Sequence, residues 1–411
     1  MIIFILACSG NTKISADDTQ SPIDTYEERT DTADPSDTSS ITEVSRTYQL
    51  SVEHGYGSGD YEEGAIVHVF ADFIPGNEVV TDWSGDLVLS PEWHQQFMMP
   101  ATDIAIKAHI DATDFALTEV QYEGTQDPIR ILYAVPENPI GVLFLFHGTG
   151  GSADVAFSTP FQNISATAYR QGLAIVVTEA HERTMNDGGA DQQIRWNVAP
   201  NPNTNIDIQN IQSISQDIST FTQVPSDGLR LGLGISNGGA FAITVGAILS
   251  FDAVTSLCGV GRESVFSQTQ TPTQWLMCDN DTNETVSSKR DQWENGTNTL
   301  QERGIRTDYG VFPAAPLYPE RFMRIGATRA ESESAIEELR VNEALDGGNF
   351  LQITPNSIGL SIVNQPDNWP VFLSLIEQYG PDKVKTELKQ TYADHGAFDD
   401  WTHRMIAFWR G

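Results

Sequence analysis

Residues 115–411 read as a doubly wound, mostly parallel α/β sheet, and residues 47–112 as a small all-β module ahead of it. Three features lead there. Nearly unbroken apolar runs such as 140–146 alternate with helical patterns, as strands do when crossover helices bury them on both faces. Residues 231–242 join a strand, a sharp glycine-rich turn and a helix in one short stretch. Between Tyr48 and Ala108, by contrast, short alternating runs are divided by Gly and Pro, the pattern of a small β module.

A chain of 411 residues exceeds one small domain. Its 56 acidic residues against 23 Lys and Arg give a formal net charge of -33. That balance argues against nucleic acid or an anionic membrane surface as partner and fits a solvated acidic surface.

From the amino end, residues 1–7 form a short apolar run that closes in Ile5-Leu6-Ala7-Cys8-Ser9-Gly10. The run resembles the end of a bacterial lipoprotein signal, which implies a lipid anchor at Cys8 as the one membrane attachment. The protein would then be extracytoplasmic, either anchored to a bacterial membrane or cell surface or secreted. Residues 9–46 are rich in Asp, Ser, Thr and Glu and poor in large apolar side chains. Such a segment cannot bury enough surface to offset its ordering entropy, so a disordered acidic tether is expected.

In the β module, Tyr48-Gln49-Leu50-Ser51-Val52 alternates and 65–70 reads as a strand, followed by Trp83-Ser84-Gly85-Asp86 and Met99-Pro100-Ala101-Thr102-Asp103. These elements resemble the small bacterial β repeats related to the internalin B-repeat, which implies a spacer or adhesive part. Trp83 and Trp93 are expected in its core.

In the large domain, strands are predicted at 129–135, 140–146, 172–178, 229–234, 251–258 and 273–278, with helices at 207–219 and 240–249. Sheets of this kind bind ligands at the carboxyl ends of their strands. Gly234-Ile235-Ser236-Asn237-Gly238 has the G-x-S-x-G spacing: a nucleophile on so tight a turn needs neighbours without side chains. Ser236 is therefore the candidate nucleophile, with the Asn237 amide beside it.

The strand at 140–146 runs into His147-Gly148-Thr149-Gly150-Gly151, a loop suited to donating a backbone amide to an oxyanion. A phosphate cradle is disfavoured, because neither G-x-G-x-x-G nor a Walker lysine is present. After 273–278 comes Asp279-Asn280-Asp281, where Asp281 is the candidate acid and Asp279 its rival. His395 precedes an amphipathic closing helix at 401–409. His147 and Trp196 are expected to line the substrate site, and His181 to border it. No cysteine/histidine cluster has zinc spacing. Cys258 and Cys278 fall on successive predicted strands, where a disulfide and two buried thiols both remain open.

With those residues in view, 117–411 resembles the α/β-hydrolase superfamily. Within it, the resemblance is to secreted feruloyl and acetylxylan esterases and polyhydroxybutyrate depolymerase-like proteins. The His147-Gly148 loop, the elbow through Gly239, Arg195-Trp196-Asn197 and His395-Gly396 carry it. It implies Ser236 as nucleophile, His395 as general base and then acid, and Asp281 as its orienter. It also implies oxyanion donors among Gly148, Thr149 and Asn237, with no metal or organic cofactor. The substrate would be an extracellular ester, either a polysaccharide-linked acyl group or a polyester, and the state a monomer.

The chain departs from that pattern at Cys278, where glycine is usual, and in the long gap before His395. That gap, 320–389, reads as a helical insertion with helices at 331–345 and 370–379, either a lid or a peripheral pair. A serine peptidase of the same fold and an inactive surface adhesion or binding protein remain as other readings.

Overall fold

The computed structural model describes residues 46–411, so the signal-like run and the acidic segment at 1–45 lie outside the described residues. Seven strands build the module: β1 (Thr47–Glu53), β2 (Gly55–Tyr56), β3 (Gly59–Glu62), β4 (Ile66–Ala71), β5 (Glu78–Gly85), β6 (His94–Met98) and β7 (Ile104–Ala112). They form a four-stranded sheet, β3-β1-β7-β5, and a three-stranded sheet, β2-β4-β6. Leu50, Val67, Val69, Phe70, Trp83 and Trp93 close its core, so both tryptophans pack inward as expected.

The module is not a loose appendage. The Glu92 carboxylate accepts the amides of His403 (2.9 Å) and Arg404 (3.1 Å), and the guanidinium of Arg324 stacks 4.2 Å from the Trp93 ring.

Eight further strands make the large sheet: β8 (Thr118–Glu123), β9 (Pro128–Ala134), β10 (Gly141–Phe146), β11 (Leu173–Thr178), β12 (Leu229–Ile235), β13 (Ala253–Leu257), β14 (Thr273–Cys278) and β15 (Thr307–Phe312). Their spatial order is β15-β14-β13-β12-β10-β11-β9-β8. β9 runs antiparallel to both neighbours, and the pairs from β11 through β15 are parallel.

The strands at the centre, β10 and β11, are buried at every position, which is why their sequences are continuous apolar runs. The sequence reading did not include β8 and β15, the two edge strands. Their faces are half exposed and their sequences, TEVQYE and TDYGVF, lack an apolar run.

Helices flank the sheet. Thr159–Arg170 packs with Thr402–Arg410, and Ile206–Thr222 packs with Asn237–Leu249. Asn237–Leu249 buries Phe241, Ala242, Ile243 and Val245 between β12, β13 and its helical neighbour, so its sequence is apolar on nearly every side.

The insertion folds as helices Glu320–Met323, Arg329–Val341, Pro355–Asn364, Pro370–Tyr379 and Pro381–Tyr392. Its apolar side chains, Leu339, Ile358, Trp369 and Phe372 among them, form a core of their own. Among the described residues no helix is long and apolar enough to cross a membrane.

Candidate active site

Ser236 sits between β12 and the helix Asn237–Leu249 with φ 57 and ψ -119. A non-glycine residue rarely occupies such a conformation, at a cost of about 1–3 kcal/mol, and the surroundings must hold it there. They do so through the Ser236 amide, which donates to the Leu257 carbonyl at 2.8 Å, and its carbonyl, which accepts from Ala240 at 3.1 Å. The turn explains its glycines. A Cβ on Gly234 would stand 2.1 Å from the Gly238 carbonyl oxygen, and one on Gly238 would stand 2.3 Å from that of His147. The strand, the elbow and the loop after β10 approach too closely for any side chain.

His395 and Asp281 meet across a long sequence gap. The His395 Nδ1 lies 2.8 and 3.1 Å from the two oxygens of Asp281, whose side chain is 1% exposed. Burial alone would lower the imidazole pKa, but the Asp281 hydrogen bond and the negative groups beside the ring outweigh it, and the value is raised. Asp279, the rival acid, is exposed and faces Arg290 at 3.4 Å instead.

Two loops are fastened together to achieve this. The Asn280 amide donates to the Ala393 carbonyl at 3.0 Å, and the Asn280 side chain donates to the Tyr392 carbonyl at 2.9 Å. Asp394, which the sequence reading did not single out, accepts from Thr282 and His395 together. Its place directly before His395 was the available signal; its partner was not legible.

Ser236 and His395 both line a cavity of about 790 Å³ together with Gly148, Thr149 and Asn237. The loop from β10 separates its own amides. Gly150 donates to the Ile194 carbonyl at 2.8 Å and Gly151 to that of Gly148 at 3.0 Å. Gly148 and Thr149 have no such partner among the described residues, and Asn237, as the first residue of its helix, has none within the helix. Of the amides of loop residues 148–151, those of Gly148 and Thr149 are thereby left to donate. The Arg183 guanidinium holds the loop from outside, donating to the carbonyls of Gly150 and Gly151.

No protein-family model matches this chain, and no curated protein matches it. Among solved structures, a dienelactone hydrolase from Anabaena variabilis ATCC 29413 is similar at 16% identity over 49% of this chain and 87% of its own, with a TM-score of 0.37. An α/β serine hydrolase without lid from Xanthomonas campestris is similar at 11% identity over 48% of this chain and 84% of its own, TM-score 0.35. Carboxyl esterase 2 from the mycorrhizal fungus Tuber melanosporum follows at 12% identity over 49% and 77%, TM-score 0.36. The sheet order and the elbow of this chain are themselves those of an α/β-hydrolase fold.

Three expectations about the cavity lining need correction. His147 does not border the cavity: it is fully buried, its Nδ1–H donates to the Gly148 carbonyl at 2.7 Å, and its Nε2 accepts the Ala180 amide at 3.2 Å. Burial pushes its pKa down to about 4, so the ring is neutral and braces the loop.

Trp196 is 2% exposed and stacks on Phe241 at 4.6 Å. Its indole donates to the His147 carbonyl at 3.0 Å, and its backbone exchanges hydrogen bonds with the Asn237 side chain at 2.7 and 3.3 Å. Trp196 thus clamps the loop after β10 to the start of the helix Asn237–Leu249 and does not line the cavity. His181 is also absent from the lining; its amide donates to Asp207 at 2.7 Å. None of residues 320–389 lines this cavity.

Cys258 and Cys278 are buried free thiols with their sulfurs 3.2 Å apart. Cys258, Asp281 and His395 bring ligand atoms within 4.8 Å of one another, a grouping with metal-binding spacing. Its imidazole nitrogen and carboxylate are already joined by the hydrogen bonds above, which suits a proton-handling pair.

Proposed function

We propose that this chain is a serine hydrolase of carboxylic esters. The observation that carries the reading is His395, paired with the buried Asp281 at 2.8 Å and lining one cavity with a strained serine and unpaired backbone amides. With Nδ1–H donated to Asp281, the Nε2 of His395 is left as base. It takes the Ser236 proton, and the alkoxide attacks the ester carbonyl.

The amides of Asn237 and of Gly148 or Thr149 receive the negative oxygen; losing one such donor costs about 10²–10³ in kcat. His395 returns its proton to the departing alcohol. Water activated by the same ring then hydrolyses the acyl-enzyme.

Native protein should release 4-nitrophenol from short 4-nitrophenyl esters and label with a fluorophosphonate, and Ser236→Ala should do neither. Retained turnover or labelling in that variant overturns the reading. Cys8 and the acidic composition further support action outside the cytoplasm, on an extracellular ester such as a polysaccharide-linked acyl group or a polyester. Loss of membrane association on Cys8→Ala in the full chain tests the anchor.

A further inference from the structure

We propose that the ester held in this cavity carries an anionic group, a carboxylate or its charge equivalent. The inference names a substrate class for the reading above and rests on it. Its starting point is an inversion of charge. The chain has 56 acidic residues against 23 Lys and Arg, yet the cavity is lined by Arg195, Arg262 and Lys289 and by no Asp or Glu.

Arg195 is partly neutralised, since it pairs with Asp191 at 2.7 Å. The other two are not. Among the described residues neither the Arg262 guanidinium nor the Lys289 ammonium makes a hydrogen bond or an ion pair, in a protein whose other surfaces offer abundant carboxylates. Two unpaired cations beside one cavity form a local positive field inside a negative envelope, which draws an anion to that spot alone.

The fold places both cations deliberately close to the chemistry. Arg262 ends the loop that follows β13, and that loop abuts the nucleophile: a Cβ on Gly259 would stand 2.5 Å from the Ser236 carbonyl oxygen. Lys289 closes the segment that begins at Asp281, just before the helix Arg290–Glu302. The rest of the lining is apolar or neutral, with Val198, Val260 and Val286 against Gln193, Asn283 and Thr285. This surface contacts a carbon chain and leaves charge recognition to the two cations.

The test compares isosteric esters with the full chain at low salt. On the acyl side, 4-nitrophenyl hydrogen adipate is set against 4-nitrophenyl hexanoate; on the alcohol side, 4-acetoxybenzoate is set against its methyl ester. We expect kcat/KM for the acid to exceed that for the neutral ester by about tenfold on at least one side. The ratio should shrink toward one as salt is raised and in Arg262→Gln/Lys289→Gln, both exposed positions where glutamine is tolerated. Equal or better use of the neutral ester on both sides overturns the proposal, as does a ratio indifferent to the double substitution.

A binding arm separates this failure from that of the hydrolase reading. Calorimetric titration of Ser236→Ala with monomethyl adipate and with dimethyl adipate reports charge preference without chemistry. Charge-selective binding with no turnover by native protein keeps the anion site and removes the hydrolase. Turnover without charge preference does the reverse, and the absence of both removes both.

Discussion

The Asp394 carboxylate accepts the Thr282 hydroxyl at 2.6 Å and the Thr282 amide at 3.1 Å, and with the same oxygen takes the His395 amide at 2.7 Å. One buried oxygen thus fixes the distance between the acid loop and the histidine loop. Asp394→Ala should loosen that distance without removing any side chain that lines the cavity. A misplacement of about 1 Å costs on the order of 10²-fold in rate. We expect kcat to fall by about tenfold to a hundredfold with KM changed little, and Asp394→Asn, which keeps one acceptor, to recover part of it. Steady-state kinetics on a short 4-nitrophenyl ester decides; a rise in KM at constant kcat would assign Asp394 to substrate binding instead.

The protonation of His395 makes a separate prediction. A base must be neutral, and the pKa of this ring is raised from its ordinary value by Asp281 against the opposing effect of burial. The acid limb of kcat/KM should therefore have its midpoint above the free-imidazole value of about 6.5. Asp281→Asn removes the raising influence and leaves burial, so the limb should move to lower pH while the rate drops by on the order of 10³–10⁴. The linkage to stability has the opposite sense: the protonated pair stabilises the fold at low pH and loses that contribution as pH rises through the raised value. A pH–rate profile whose limb does not move in Asp281→Asn would break the link between the two residues.

Local signals carried much of this site, and long-range contacts decided the rest. The elbow glycines, the apolar strands β10 and β11 and the position of His395 before its closing helix are written in consecutive residues. The predicted helix at 370–379 matches Pro370–Tyr379. What sequence patterns could not give was pairing across the chain. Asp281 and Asp279 have similar neighbours in sequence, and only the approach of residues 392–395 turns one toward the ring and leaves the other with Arg290.

The same holds for His147 and Trp196. Their residue types suit a substrate wall, but Phe146 and Phe241 cover Trp196 and Ala180 meets the His147 ring, partners distant in sequence from the residue each one touches. The helices Pro355–Asn364 and Pro381–Tyr392 went unread because their apolar faces match one another, in a core distinct from that of the sheet.

The clamp made by Trp196 is testable against the role it was expected to have. Trp196→Phe keeps an aromatic ring on Phe241 but deletes the indole donor to the His147 carbonyl. An unmade hydrogen bond to a buried carbonyl costs about 1–3 kcal/mol. On the proposed mechanism the lost contact steadies the amide donors, so the loss should appear chiefly in kcat, by about fivefold or more, with KM nearly constant. A substrate-lining tryptophan would instead show its loss in KM.

Arg321 supplies the final prediction, because it joins the module to the large domain through a buried ion pair. Its side chain is 1% exposed, donates to both oxygens of Asp400 at 2.6 and 3.1 Å, and stacks 4.8 Å from the Trp93 ring. Asp400 also stands 3.2 Å from the Nδ1 of His94 in β6, so one carboxylate binds a residue from each side. Burial raises the pKa of that carboxyl, but Arg321 and His94 outweigh it and keep it ionised. Arg321→Met leaves this charge buried without its main partner, which costs about 3–5 kcal/mol. Urea unfolding followed by tryptophan fluorescence and by ester turnover should show one shared transition with its midpoint lowered. Two separate transitions, with the module's unchanged, would mean that the two parts are stable independently and that Arg321 does not couple them.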